Sequence, residues 1–219
     1  VRSQSGVHGG ALDFIGHKVE LGTPADLDFS GTNAFTISAW VKPLQGGVRL
    51  LQRGTGTGGN YAYELGRYHL ENRRWRMRLR TDGGARGVMS SVGEVDMRVW
   101  SHIAGIWDGS TLSIYENGNV VASSGSSAAN FEDNPISAYQ NTSIGGDGRG
   151  DNYYFGGLID DVAVYDRALS PAELTDMYNA GICANPERLN GTIVYNADFN
   201  VMQYCDALLP GNGWQATLP

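Results

Sequence analysis

The stretch Phe35-Thr36-Ile37-Ser38-Ala39-Trp40-Val41-Lys42-Pro43 alternates with a period of two. Residues two apart on a strand share a face. Phe35, Ile37, Ala39 and Val41 therefore line one side, and Thr36, Ser38, Trp40 and Lys42 the other. The same alternation runs through Asn60 to Leu65, Arg74 to Arg80 and Ile103 to Trp107. After Trp107 come Asp108-Gly109, then Leu112-Ser113-Ile114-Tyr115, then Asn117-Gly118. Both dipeptides are hairpin signals. Alternating strands parted by Gly, Asn and Asp about every ten residues predict an all-β sandwich of two antiparallel sheets.

One helix interrupts this pattern. Ser170-Pro171-Ala172-Glu173 is a capping box with proline at the first helical position, and Gly181 supplies the stop. Leu169, Leu174, Met177 and Tyr178 are expected to form its buried stripe. Beyond Gly181 the character changes. Thr192-Ile193-Val194-Tyr195 and Val201-Met202-Gln203-Tyr204-Cys205 predict an appended β-hairpin leaning on the main body, since so short a tail has no core of its own. The expected organisation is a main domain over residues 1–181 and a hairpin tail over 182–219.

Composition agrees. The 31 glycines among 219 residues are about twice the usual share, as many tight turns require. A chain of this length buries roughly 70% of its unfolded surface, enough for a core without staples. No apolar run approaches the roughly 18 residues of a membrane-spanning helix, and a coiled coil or helical bundle is excluded by the period. The start at Val1-Arg2-Ser3, without methionine or signal-type apolar region, is expected of a processed or excised product.

The net charge of −7 is unevenly spread. Seven arginines lie between Arg67 and Arg86 against two acids, Glu71 and Asp82, and Lys18 and Lys42 are the only lysines. An acidic body with one arginine strip lacks the broadly basic footprint of a nucleic-acid binder. It suits one local anionic ligand. Arg74, Arg76, Arg78 and Arg80 alternate with Trp75, Met77 and Leu79, which puts four guanidiniums on one face. Like charges along a strand repel, so either acids on neighbouring strands compensate them or a sulfated or uronate glycan does. Tyr61, Tyr63 and Trp40 are candidate stacking platforms for sugar rings, with core packing as the alternative. Cys183 and Cys205 match no zinc spacing. A disulfide between them implies an oxidising compartment, and two buried thiols are the alternative.

Four stretches together resemble the laminin G-like branch of the concanavalin A-like jelly rolls, the broad fold of pentraxins and legume lectins. They are Ala11-Leu12-Asp13-Phe14; Phe35 to Pro43; Trp100 to Ala104 with Trp107-Asp108-Gly109 and Tyr115-Glu116-Asn117-Gly118; and Phe155 to Tyr165 followed by Arg167-Ala168-Leu169-Ser170. The resemblance spans residues 7 to 181 and implies a jelly-roll binding module for glycans or proteins, often with one calcium ion. By the same resemblance Asp160 binds calcium with backbone carbonyls of the first strand, Asp13 being a possible second ligand. Bonding of Asp160 to backbone amides alone is the alternative.

Enzymes on this fold are a further possibility that the residues argue against. Glucanases of this kind use Glu-x-Asp-x-x-Glu on one strand face, whereas Glu94-Val95-Asp96-Met97-Arg98-Val99 lacks the third acid. Lyases need a Tyr/His pair, but Tyr68 and His69 are adjacent and point to opposite faces. Arg149-Gly150-Asp151 matches an integrin-type tripeptide, for which a charged turn is the plainer reading. The expectation is thus a non-catalytic, extracellular or surface-exposed module recognising an acidic polysaccharide, stabilised by calcium and one disulfide. The alternative is a structural or adhesion component of a fibre, envelope or virion that contacts other copies, and a glycoside hydrolase or polysaccharide lyase comes third.

Overall fold

The computed structural model describes residues 2–7, 10–29, 34–47, 49–54, 61–67, 74–81, 84–89, 95–124, 141–147, 153–180, 192–196, 201–205 and 214–217. Of these, 2–3, 81, 84–89, 180, 192–196, 201–205 and 214–217 are described by backbone alone. The strands of the first half are β1 (Arg2–Ser5), β2 (Gly10–Asp13), β3 (Val19–Gly22), β4 (Phe35–Pro43), β5 (Arg49–Gly54), β6 (Tyr61–Arg67), β7 (Trp75–Thr81) and β8 (Gly84–Met89). Those of the second are β9 (Ser101–Trp107), β10 (Leu112–Glu116), β11 (Asn119–Ser123), β12 (Thr142–Ile144), β13 (Gly157–Tyr165), β14 (Thr192–Asn196), β15 (Val201–Cys205) and β16 (Trp214–Thr217). Among the described residues, one α-helix, α1, covers Pro171–Ala180.

The strands form two sheets, as the period-two pattern predicts. The larger runs β11-β10-β9-β4-β13-β14-β15-β16, with β2 also on β13 and β1 on β2; the smaller runs β3-β12-β5-β6-β7-β8. Every described pair is antiparallel. The alternation in β4 holds: Phe35, Ile37, Ala39 and Val41 are fully buried between the sheets. They meet Tyr63, Leu65, Met77 and Leu79 from the smaller sheet in one core. Gly105 of β9 leaves room for this meshing, since a Cβ there would press within 2.7 Å of the Met77 sulfur.

The turns follow their chemistry. Asn117 and Gly118 both have positive φ, 51° and 78°, and join β10 to β11 in a two-residue loop. That backbone is what an Asn-Gly hairpin provides. Between β9 and β10, Asp108 Oδ1 accepts from the amides of Ser110 and Thr111 at 2.8 and 2.7 Å.

Helix α1 clasps the outer face of the larger sheet. Its capping box forms as expected: Ser170 N–H donates to Glu173 Oε2 at 2.8 Å, and Glu173 N–H to Ser170 Oγ at 3.3 Å. Leu169, Leu174 and Met177 pack against Ala104, Ile106, Ala163 and Tyr165. Tyr178, expected in the buried stripe, is instead 38% exposed and lies against Trp40. In the tail, β14 and β15 pair as the hairpin requires, and β16 adds a third strand. β14 pairs with β13 over Val162 to Val164, so the larger sheet continues into the tail. Cys205 ends β15, but Cys183 lies outside the described residues, as do Arg149-Gly150-Asp151, Tyr68-His69 and Glu94.

Gly145 shows how tightly the smaller sheet meets the first strands. Its φ is +75°, and a Cβ would run into the Phe14 ring. Its N–H donates to Leu50 O at 2.7 Å and its carbonyl accepts from Phe155 N–H at 2.9 Å. Replacing Gly145 by Ala combines a left-handed backbone penalty of about 1–2 kcal/mol with overpacking of about 1–3 kcal/mol. Chemical denaturation of Gly145→Ala should show a loss of several kcal/mol, whereas Gly46→Ala, where a Cβ meets nothing within 4 Å, should stay close to the parent.

Candidate functional site

Two β-bulges in the smaller sheet decide which side chains reach its outer face, the one turned away from the core. On β5 the register shifts between Arg49 and Leu51, so Leu50 and Leu51 both enter the core and Arg49 turns outward. On β6 a shift at Arg53/Gly54 leaves Ala62 and Tyr63 both in the core and turns Tyr61 outward. Bulges re-aim side chains in this way because one extra residue breaks the alternation. Gln52, Glu64 and Arg78 stand in register across β5, β6 and β7, with Arg76 opposite Gly66.

Glu64 is the hub. Its side chain is fully buried, and its carboxylate gathers three guanidiniums and one amide. Oε1 accepts from Arg49 Nη1 at 3.0 Å, Arg76 Nη2 at 2.9 Å and Arg78 Nε at 3.2 Å. Oε2 accepts from Gln52 Nε2 at 3.0 Å and Arg78 Nη2 at 2.6 Å, with Arg49 Nε also 3.0 Å away. Two tyrosines flank the cluster. The Arg78 guanidinium lies 4.2 Å from the ring centre of Tyr61, and that of Arg49 5.4 Å from Tyr153. At the rim, Lys18 donates to Asp147 O at 2.9 Å and pairs with Glu20 at 2.6 Å.

Burial alone would raise the pKa of Glu64, but Arg49, Arg78 and Arg76 together outweigh it and hold the carboxyl below its ordinary value. Arg49 moves down, because burial and the nearby Arg78 and Arg76 outweigh the attraction of Glu64 and Asp147. Among the described residues, the three guanidiniums converge on Glu64, and Asp147 also attracts Arg49. A carboxylate offers about four acceptor sites and each guanidinium five N–H donors, so Glu64 cannot satisfy the set.

The alternation of Arg74, Arg76, Arg78 and Arg80 holds, but the four do not act as one row. Arg76 and Arg78 converge on Glu64, which supplies the neighbouring acid that the sequence left open as an alternative. Arg74 and Arg80 stand half-buried at either end of β7. The expected stacking platforms are corrected. Tyr63 is fully buried against Phe29 and Phe35 with its hydroxyl donating to Leu27 O at 2.9 Å. Trp40 sits on the other sheet, against His102 and Tyr178. Tyr61 reaches the site, but it is 2% exposed and covered by Arg78, so it cannot receive a sugar. Sequence reasoning missed Glu64, Gln52 and Arg49. A lone acid and amide facing an arginine strand were the available signal, and strict alternation sends Arg49 to the wrong face.

Asp160 is buried, and a bulge sets the face it takes. Asp161 takes φ +49° in a bulge between Asp160 and Ala163, so Asp160 stands opposite Trp40, on the face opposite that of Val162 and Val164. Its Oδ2 accepts from Val7 N–H at 2.8 Å and its Oδ1 from Asp161 N–H at 2.9 Å. Gly6 lets the chain pass this close, because a Cβ would strike the Asp160 carboxylate. Asp13 turns its Oδ1 to Ile15 N–H at 2.9 Å. No group of three His, Cys, Asp or Glu side chains converges among the described residues. Among the described residues, the Asp160 carboxylate is held by the backbone amides of Val7 and Asp161.

The sequence matches the Concanavalin A-like lectin/glucanases superfamily over residues 16–175. The chain belongs to this superfamily. Among curated proteins, none matches it in sequence. Solved structures share the fold of this superfamily member at low identity. Domain 4 of AbnA, a GH43 extracellular arabinanase from Geobacillus stearothermophilus solved with arabinotriose, is 21% identical, covers 80% of each chain and has a TM-score of 0.61. The CBM40 of the Ruminococcus gnavus IT-sialidase, bound to α2,6 sialyllactose, is 23% identical over 77% of this chain and 96% of its own, with a TM-score of 0.57. The binding domain of Paraclostridial Mosquitocidal Protein 1 is 15% identical over 92% of this chain and 56% of its own, with a TM-score of 0.62.

Two predictions follow from these carboxylates of the superfamily fold. Glu64→Gln removes the buried carboxylate on which Arg49, Arg76 and Arg78 converge and should cost about 3–5 kcal/mol in denaturant unfolding. A carboxyl with a lowered folded pKa stabilises above its unfolded value and loses that contribution as pH falls through its folded one. Glu64 therefore makes the parent less stable in acid, and so does Glu173, which the Arg167 hydrogen bond holds at about 2. The melting temperature of Glu64→Gln should fall less steeply than the parent's between neutral pH and pH about 3. Separately, Asp160→Ala should cost about 3 kcal/mol by stranding two amides, while a chelator leaves the parent melt unchanged. A melt that chelator lowers and calcium restores would establish the calcium site instead.

Proposed function

We propose that this chain is a non-catalytic carbohydrate-binding module that recognises an acidic glycan on the outer face of its smaller sheet. The observation that carries this reading is the convergence of three guanidiniums on Glu64 at the outer face of the smaller sheet. Arginine forks of this kind match carboxylates and sulfates in geometry as well as charge. Fold relatives solved with arabinotriose and with sialyllactose support a glycan as the ligand, and the extracellular arabinanase supports a location outside the cell. Glu64 itself is a poor catalytic acid, since its guanidinium partners keep it ionised.

Because Arg76 and Arg78 also neutralise a buried acid, alanine at either position would confound binding with stability. Lysine keeps the charge and removes the planar fork. Titration of acidic and neutral glycans should show that Arg78→Lys weakens acidic-glycan binding by about tenfold or more, equivalent to about 1.4 kcal/mol, with the melt within a few degrees of the parent. Equal affinity in parent and variant, or binding of neutral glycans alone, would overturn the reading.

A further inference from the structure

The sequence suggests a polyanion lying along β7, with successive acids meeting Arg74, Arg76, Arg78 and Arg80. The structure gathers the charge at one point instead. Arg49 comes in from β5 through the bulge at Leu50, and Arg76 and Arg78 come in from β7, all three onto the carboxylate of Glu64. Asp147, itself buried, acts on Arg49 from the rim, and Lys18 is paired with Glu20. Among the described residues, Glu64 and Asp147 are the carboxylates that attract Arg49.

The opening is small. The side chains of Arg49, Arg76 and Arg78 are 7%, 11% and 23% exposed. A polymer running along a strand needs a row of open forks. Here the bidentate edge of Arg78 is already turned to Glu64, and Tyr61 covers one face of its guanidinium. What faces outward is the edge of one guanidinium cluster, with Arg78 the most open of the three.

We propose that the site takes one compact monoanionic group, a single sugar carboxylate or sulfate ester at a glycan end, rather than a repeating polyanion. This rests on the acidic-glycan reading above and narrows it. Glu64 is then a positioning residue, which aims the three guanidiniums and is not itself in contact with the ligand.

Calorimetric titration of the full chain with lactose, sialyllactose, a lactose sulfate monoester, and short and long oligogalacturonides tests this. Binding of sialyllactose or of the sulfate monoester at least about tenfold tighter than lactose supports the proposal, and which of the two binds identifies the anion. Oligogalacturonides should then bind with an affinity per chain that does not grow with length, and Arg74→Gln with Arg80→Gln should change no affinity by more than about twofold, or about 0.4 kcal/mol. Affinity that climbs about tenfold or more with chain length, and collapses in that double variant while its melt is unchanged, would overturn the single-anion site and leave the acidic-glycan reading standing. Failure of every acidic ligand, short or long, would overturn that reading itself.

Discussion

A carboxylate removed from water cannot stay ionised unless cations come with it. Moving such an ion into a low-dielectric interior costs several kcal/mol even after relaxation, and Glu64 is fully buried. Three guanidiniums within hydrogen-bond distance answer that cost, and each attraction at such range is worth about 4 kcal/mol at an effective dielectric constant near 20. The solution creates a second problem, because the guanidiniums repel one another. The pKa of Arg49 is lowered chiefly by burial, with Arg78 and Arg76 adding to the shift and Glu64 opposing it. The cluster is thus held by Glu64, with Asp147 also attracting Arg49, against the mutual repulsion of its guanidiniums.

The sequence shows most of this fold, because period two reports faces reliably wherever the ladder is regular. Phe35, Ile37, Ala39 and Val41 enter the core as the alternation says, and so do Met77 and Leu79 between the arginines. The misplaced residues share one cause. Leu50 on β5, Ala62 on β6 and Asp161 on β13 each add one residue to one strand of a pair. Beyond each bulge every side chain changes face, so Arg49 and Tyr61 come out of the core and Asp160 leaves the face of Val162. A bulge needs no glycine or proline to announce it, and Asp161 reaches positive φ without either. The hub was invisible for a different reason. A single glutamate in Tyr61-Ala62-Tyr63-Glu64-Leu65 has the parity of any solvent-facing polar residue, and only the pairing of β6 with β7 shows what it meets.

The two outer faces are finished differently. On the larger sheet, α1 covers Ala104, Ile106, Ala163 and Tyr165 with Leu174 and Met177, and Thr36 Oγ1 ties the approach by donating to Arg167 O and accepting from Leu169 N–H. That face is closed by apolar contact. The smaller sheet has no helix over Gln52, Glu64, Arg76 and Arg78 among the described residues. Its covering is made of its own long side chains, whose stems lie along the sheet while their charged ends meet at Glu64. The two outer faces therefore differ in kind, one closed by apolar contact beneath α1 and the other polar around Glu64.

Holding arginines by a buried acid also bears on affinity. A free arginine side chain gives up about 2 kcal/mol of rotamer entropy when fixed, and ordering the binding residues at the moment of association subtracts from the affinity gained. In this chain folding has already fixed them. Arg78 is fixed at its Nε and Nη2 by Glu64 and across its plane by Tyr61, and Arg49 is fixed by Glu64 and Tyr153. The acid therefore does two opposed things: it cancels part of the positive charge, and it sets the remainder in place. Removing it would raise the net charge of the face while loosening the groups that carry it. If charge alone governed recognition, such a change would strengthen binding; if placement governs, it weakens binding. The choice of arginine over lysine at all three positions favours placement, because a point charge on a flexible stem needs no such frame.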